Sequence, residues 1–79
     1  MNTKELLELI VQAMVDNPEE VKISEIETNQ STILELRVAK SDIGKVIGKK
    51  GKNVNALRDI IYAVSAKSRK RVTLEVMDR

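Results

Sequence analysis

The chain has 79 residues, 42% of them apolar and 33% charged, a balance that supports a small packed core and argues against disorder. It contains no cysteine and no histidine, which excludes a disulfide framework, thiolate chemistry, a serine triad and most zinc sites. The net charge is only +2, but residues 1–36 carry two cations against eight acids and residues 37–79 carry twelve cations against four acids. That split points to a polyanionic partner for the second half, set against the plainer reading of a solvated lysine-rich surface. No apolar run reaches the length of a membrane span and the N-terminus lacks a signal-peptide pattern, so a soluble, cytoplasmic protein is expected.

Asn2 and Glu5 have the spacing of a capping box. Leu6, Leu7, Ile10, Val11, Met14 and Val15 follow on one face of a 3.6-residue period, which predicts a helix from about Thr3 to Asp16. Asn17-Pro18 ends it, because proline disfavours helical geometry in the residue before it. Val21, Ile23 and Ile26 mark a short strand near 20–28. The step from Ile23 to Ile26 breaks the period of two, so a bulge or register slip is expected there. Thr28-Asn29-Gln30-Ser31 is turn material. Thr32–Lys40 then alternates, with Leu34, Leu36 and Val38 on one face and Glu35 and Arg37, joined by Ile33 and Ala39, on the other. Together these predict an antiparallel hairpin with one solvated side.

Ser41 is placed to cap a short helix over Asp42–Ile47, with Asp42 near its N-terminus. Gly48 ends that helix. Val54, Leu57, Ile60, Ile61 and Val64 recur at helical spacing to about Ala66, and Lys67-Ser68-Arg69-Lys70 forms a basic connector. Arg71–Met77 alternates again, with Val72, Leu74 and Val76 inward. The expected order is α-β-β-α-α-β. Two helices join the second and third strands, which can therefore lie parallel with a right-handed crossover. The fold class is α+β, with a three-stranded mixed sheet and three helices packed on one face. With no internal repeat, linker or low-complexity segment, residues 1–79 read as a single domain.

The most informative stretch is Ile47-Gly48-Lys49-Lys50-Gly51-Lys52. Two glycines three apart permit a tight turn with close backbone approach. The lysines between them put charge at the tip, and a helix start follows whose free N–H groups attract anions. From Lys45 to Arg58 there are five cations and no acid.

Ile43-Gly44-Lys45-Val46-Ile47-Gly48-Lys49-Lys50-Gly51-Lys52-Asn53-Val54-Asn55-Ala56-Leu57-Arg58 closely resembles the signature of KH domains, I-G-x-x-G-x-x-[IV]-x-x-[IL]-[RK]. The element order places it with the type II form, and length and acidic first helix resemble the single-domain bacterial RNA-binding proteins of the KhpA type. The resemblance covers essentially the whole chain. It implies that the G-x-x-G loop clamps the backbone of about four nucleotides of single-stranded RNA. Gly48 and Gly51 would allow close approach, and Lys49 and Lys50 would supply point charges to phosphates. The bases would lie in a groove floored by Ile43, Gly44, Ile47 and Val54, walled by the strand Leu34–Val38 and the connector Lys67–Arg71. Lys45, Lys52, Arg58, Arg69 and Lys70 complete the expected RNA contacts. The resemblance also implies RNA chaperone or post-transcriptional regulatory activity linked to cell shape and cell-wall biogenesis. Its expected partners are a second copy of the chain, a KhpB-type KH protein, or both, with no cofactor and no metal.

Plainer readings stand beside these. Val46 and Leu57 are expected mainly in the core, and Ile43, Ile47 and Val54 shared between core and groove. Arg58, next to Asp59, is as readily a solvated helix-surface residue. Arg37 and Lys40 are expected at the surface. Gly44 inside a helix costs about 1 kcal/mol relative to alanine, which calls for a packing or ligand-approach reason. Tyr62, the single aromatic residue, is more readily packing or interface than a stacking platform. A nucleotide-binding enzyme is the first rival, because Gly44 to Lys50 nearly matches a P-loop. The spacing is one residue short, and Lys50 stands where a magnesium-binding hydroxyl belongs. No enzyme activity is expected. A protein-interaction module, with the helix faces serving dimerisation, is the second rival. Binding to anionic membrane is the third, and the basic stretch lacks the apolar anchors it needs.

Overall fold

The computed structural model describes residues 1–68 and 70–77. Helix α1 spans Thr3–Met14, strand β1 Lys22–Glu27 and strand β2 Ser31–Arg37. Helix α2 spans Ile43–Ile47, helix α3 Lys52–Val64 and strand β3 Arg71–Val76. Short 3-10 turns lie at Pro18–Glu20, Lys40–Asp42 and Lys49–Gly51. The architecture is the expected α+β arrangement of three helices and a three-stranded mixed sheet, consistent with a KH-type fold.

The capping box forms at the start of α1. Asn2 Oδ1 accepts from the Glu5 N–H at 2.8 Å and Glu5 Oε1 accepts from the Asn2 N–H at 3.1 Å. This satisfies helix-end donors that would otherwise face water. Leu7 and Val11 are the fully buried residues of α1, with Ile10, Met14 and Val15 packed partly against the core.

The sheet order is β1-β2-β3, with β1 antiparallel and β3 parallel to β2. The β1–β2 ladder runs without interruption from Lys22 opposite Arg37 to Glu27 opposite Thr32. The expected bulge is absent: the strand keeps its period, so Ile26 points to the open face opposite Ile33 rather than into the core. The other face carries Ile23, Leu34, Leu36, Val72 and Leu74, all buried together with Val46, Val54, Leu57 and Ile61 from the helices.

On α3 the buried stripe is narrower than its periodicity predicts. Val54, Leu57 and Ile61 are buried, whereas Ile60 and Val64 are 40% and 43% exposed. At 100° per residue these two sit on the flank of the stripe, where the three-stranded sheet offers nothing to cover them.

The buried carboxylate of Asp42 was read from sequence as a helix N-terminal acid beside a Ser41 cap. No side-chain cap forms on α2 and Ser41 is exposed. Asp42 is instead fully buried. Its oxygens accept from the N–H groups of Asp16 (3.2 Å) and Asn17 (3.0 Å) and from Asn17 Nδ2 (3.0 Å). Lys45 Nζ lies 3.7 Å from the same carboxylate and 3.2 Å from Asp16. The carboxylate therefore latches the end of α1 to the start of α2, filling donors left bare where Pro18 stops the helix. Burial by itself would raise the pKa of Asp42, but the hydrogen bonds from Asn17 and Asp16, with Lys45 alongside, outweigh it and hold the carboxyl below its ordinary value.

Because the folded-state pKa is depressed, the latch contributes fully above the unfolded-chain value of about 3.9 and is lost as the pH falls through the lower folded value. Asp42→Asn should melt on the order of 5 °C or more below wild type at neutral pH. Urea-denaturation midpoints should show that gap unchanged between pH 7 and pH 6 and shrinking toward pH 3. An equal gap at all three would mean that the carboxylate charge does not act in the latch.

Candidate nucleic-acid interface

The turn from α2 to α3 is made by residues Gly48 to Gly51. Gly48 ends α2 with its N–H donating to Gly44 O at 2.8 Å, and its backbone stands at φ 76°, ψ 169°. That region is essentially open to glycine only. A Cβ built there would also lie 2.8 Å from Asn53 N and 2.8 Å from Asn53 Cγ. Gly51, at φ 77° and ψ 14°, is left-handed and leads directly into α3. Between them Lys50 also takes a positive φ, 58°, a conformation that costs a non-glycine residue about 1–2 kcal/mol.

Asn53 locks the turn, donating from Nδ2 to Lys45 O at 2.8 Å and so closing one of the bare carbonyls at the end of α2. Gly48 O accepts from the Gly51 N–H at 3.1 Å. Lys49 and Lys50 stand between the two glycines at the tip of this turn. Lys49, Lys50 and Lys52 are exposed, and no ion pair among the described residues holds them. The loop thus presents ammonium groups without an ion pair among the described residues on a fixed backbone, which suits an anionic chain.

The other expected site residues sort into three places. Gly44 and Ile47 lie exposed on α2 next to the loop, and Ile43 is half-buried against the core. A Cβ on Gly44 would meet nothing within 4 Å, so no packing contact requires glycine there. Val54 is buried and its side chain belongs to the core rather than to an open floor. Lys45 turns its ammonium to Asp16 and Asp42, and the Asp16 hydrogen bond is the main reason its pKa is raised.

The wall is not the strand Leu34–Val38. β2 is the central strand and Leu34, Leu36 and Val38 are at most 1% exposed. The strand beside α3 at the sheet edge is β3. Arg71 N–H donates to Gln30 O and Met77 N–H to Leu36 O, so the odd-numbered residues of β3 face β2 and the even-numbered ones turn their backbone to the edge. Arg58 covers part of that edge. Its Nε and a terminal nitrogen lie 3.4 and 3.3 Å from Leu74 O, and its other terminal nitrogen 3.4 Å from Asn55 Oδ1. Arg58 thereby joins this flank of α3 to the β3 edge.

Lys70 sits at the far end of α3 from the glycine loop, roughly 20 Å away along a 13-residue helix. Its Nζ pairs with Glu27 at 2.8 Å, and that contact lowers the pKa of Glu27. Arg69 lies outside the described residues. The sequence reading carries no sign of the contacts that Asn53 makes to Lys45 O and Asn55 to Arg58, and it assigns Asp42 a different role. The Asn17-Pro18 stop, with its bare N–H groups, was the only signal for the Asp42 latch. Gly44 lies inside α2, so the near-match to a P-loop does not form a phosphate-binding loop. No helix among the described residues is long and apolar enough to cross a membrane, and no cluster of acidic side chains there could hold a metal ion.

Comparison with known proteins agrees with this geometry. The family described as KhpA/KhpB, KH domain, matches residues 4–76. The chain is 49% identical over 77 residues to the RNA-binding protein KhpA of Borreliella burgdorferi, covering 98% of this chain and 94% of that one. It is 50% identical over 74 residues to the RNA-binding protein KhpA of Clostridium acetobutylicum, covering 94% and 99%. It is 45% identical over 75 residues to the protein of the same name from Chlamydia pneumoniae, covering 95% and 96%. No solved structure matches the chain significantly.

The three glycines should separate cleanly in stability. Gly48→Ala should cost at least about 2 kcal/mol, because it combines a glycine-only backbone with an overlap on Asn53. Gly51→Ala should cost about 1 kcal/mol. Gly44→Ala should be stabilising by up to about 1 kcal/mol. Urea unfolding of the three variants checks the order.

Proposed function

As the chain belongs to the KhpA/KhpB family of KH domains, we propose that it binds single-stranded RNA by gripping the phosphate backbone in the Gly48–Gly51 loop. It is a binding protein, not an enzyme. The observation that carries this reading is the turn fixed by Gly48, Gly51 and Asn53, whose exposed lysines hold no ion pair among the described residues. Lys49, Lys50 and Lys52 supply charge to phosphates, and Gly48 and Gly51 let the strand approach the backbone. The bases lie along Ile43, Gly44 and Ile47 and against the β3 edge beside Arg58. Gly44 leaves room for a base, which gives its helix-weakening presence a purpose. Val54 supports this floor from below and Lys45 holds α2 in place through the acids. The expected role of Lys70 belongs to the end of α3 away from the loop. Few phosphate contacts over about four nucleotides make binding weak and tolerant of sequence. The module acts as a single domain in the cytoplasm, as an RNA chaperone or post-transcriptional regulator serving cell-shape and cell-wall control.

A second reading, self-association or pairing with a KhpB-type KH protein, is favoured by the exposed apolar residues Leu9, Ile60 and Val64. It coexists with RNA binding, because these side chains lie off the loop. Sedimentation velocity should give a dimer for wild type and a monomer for Ile60→Asp combined with Val64→Asp. A wild-type monomer at micromolar concentration would remove this reading.

Neutralising roughly three phosphates should make log K fall with log salt at a slope of about −2, measured by fluorescence anisotropy. Replacing Lys49 and Lys50 by Asp should abolish binding with the fold intact by circular dichroism, since aspartate tolerates the left-handed backbone at position 50 better than most residues. Gly44→Ala should bind several-fold more weakly despite its higher stability. Undiminished binding by the double aspartate variant would show that the loop is not the site.

A further inference from the structure

We propose that Tyr62 and Arg71 form a second nucleotide subsite, which stacks a base of the same RNA strand beyond the nucleotides held by the glycine loop. The inference rests on the RNA-binding reading above and extends the contact along α3.

Tyr62 is the chain's only aromatic residue. It is 53% exposed on a helix whose buried stripe is Val54, Leu57 and Ile61, so core packing does not account for it. It follows Arg58 by four residues and shares its flank of α3, the flank that meets the β3 edge. Eleven residues of helical rise put it about 16 Å along the axis from Gly51. A strand leaving the loop along α3 has that distance to cover to reach the tyrosine ring.

The surroundings of the ring suit a nucleotide. An open recess of about 1080 Å³ is lined by Tyr62 from the helical layer and by Gln30, Ile33, Arg71, Thr73 and Glu75 from the sheet. Arg71 is exposed with no ion pair among the described residues, whereas the neighbouring Lys70 is held by Glu27. The phenol ring offers a π face that any base can use. The Arg71 guanidinium reaches a phosphate or stacks on the exposed side of the base. Glu75 repels phosphate from its own side of the recess and accepts from an exocyclic amino group, while the Gln30 amide can donate or accept. A ring bordered by arginine, carboxylate and amide does not suit an apolar helix face or a lipid surface.

The single tyrosine, in a chain without tryptophan, makes intrinsic fluorescence a probe of this one position. The full chain is titrated with a tetranucleotide and a decanucleotide of mixed sequence, by anisotropy of labelled strands and by tyrosine emission with unlabelled ones. Wild type should show quenching by the decanucleotide and little by the tetranucleotide. Tyr62→Leu, which keeps apolar bulk, should weaken decanucleotide binding about tenfold and leave tetranucleotide binding unchanged, and Tyr62→Phe should retain wild-type affinity for both. Arg71→Gln should reduce the salt slope for the decanucleotide by about one. The subsite is overturned if Tyr62→Leu binds the decanucleotide like wild type. It is also overturned if saturating decanucleotide leaves the emission unchanged, or if emission follows protein concentration alone. A Lys49→Asp, Lys50→Asp variant that binds both strands normally would overturn the loop clamp instead, and leave the tyrosine result to stand by itself.

Discussion

The approach of Gly48 to Asn53 is the contact on which the rest of the molecule turns. β2 and β3 are parallel, so the chain must cross over between them and carries two helices on the way. The first helix has five residues and the second begins only four residues after it. A reversal that short brings the start of α3 within 2.8 Å of where a Cβ on residue 48 would stand. Only glycine fits, in both space and backbone angle. The Asn53 side chain then closes over Lys45 O, and the reversal becomes rigid. Lys49 and Lys50 are held at its tip with no ion pair among the described residues. A turn already fixed in the free protein avoids the entropy cost of ordering a mobile loop on binding.

The acidic first half of the chain sorts the cations of the second half. Asp16 and Asp42 take Lys45, and Glu27 takes Lys70. Both pairs tie an early element to a late one, the first at the α1–α2 latch and the second at the hairpin end of the sheet. Lys49, Lys50, Lys52 and Arg71 are among the cations that no acid holds among the described residues. The Asp42 latch also sets where α2 lies, and so where the loop points. A buried carboxylate with three N–H donors and a nearby ammonium is satisfied well enough to keep its charge in the interior.

Most of the architecture was legible because each element declares its own period. The capping box of α1, the alternation of β2 and β3 and the helical spacing of α3 are local facts about side-chain direction. The errors share one cause, which is that coverage is not a local property. Ile26, Ile60 and Val64 are apolar, but the layers do not extend over them. Leu34, Leu36 and Val38 alternate like a strand that could border a groove, yet the sheet order puts that strand in the middle. Asp42 looked like a helix-start acid because the donors that claim it come from residues 16 and 17, across the fold.

The glycine loop shows the same division at a single site. Its composition was enough to mark a tight, glycine-bracketed turn with lysines at its tip, and the structure forms that turn. Chain order was enough to place it in a succession of strand, helix, loop, helix and strand. Tertiary structure decided which cations acids hold, that Val54 is buried in the core, and that β2 is the central strand with β3 at the edge beside α3. It also brought Tyr62 and Arg71, distant in the pattern, into one recess. Local sequence sets period and turn chemistry through covalent geometry. Partners across the fold are set by how layers stack and where they stop, and no stretch of chain contains that information alone.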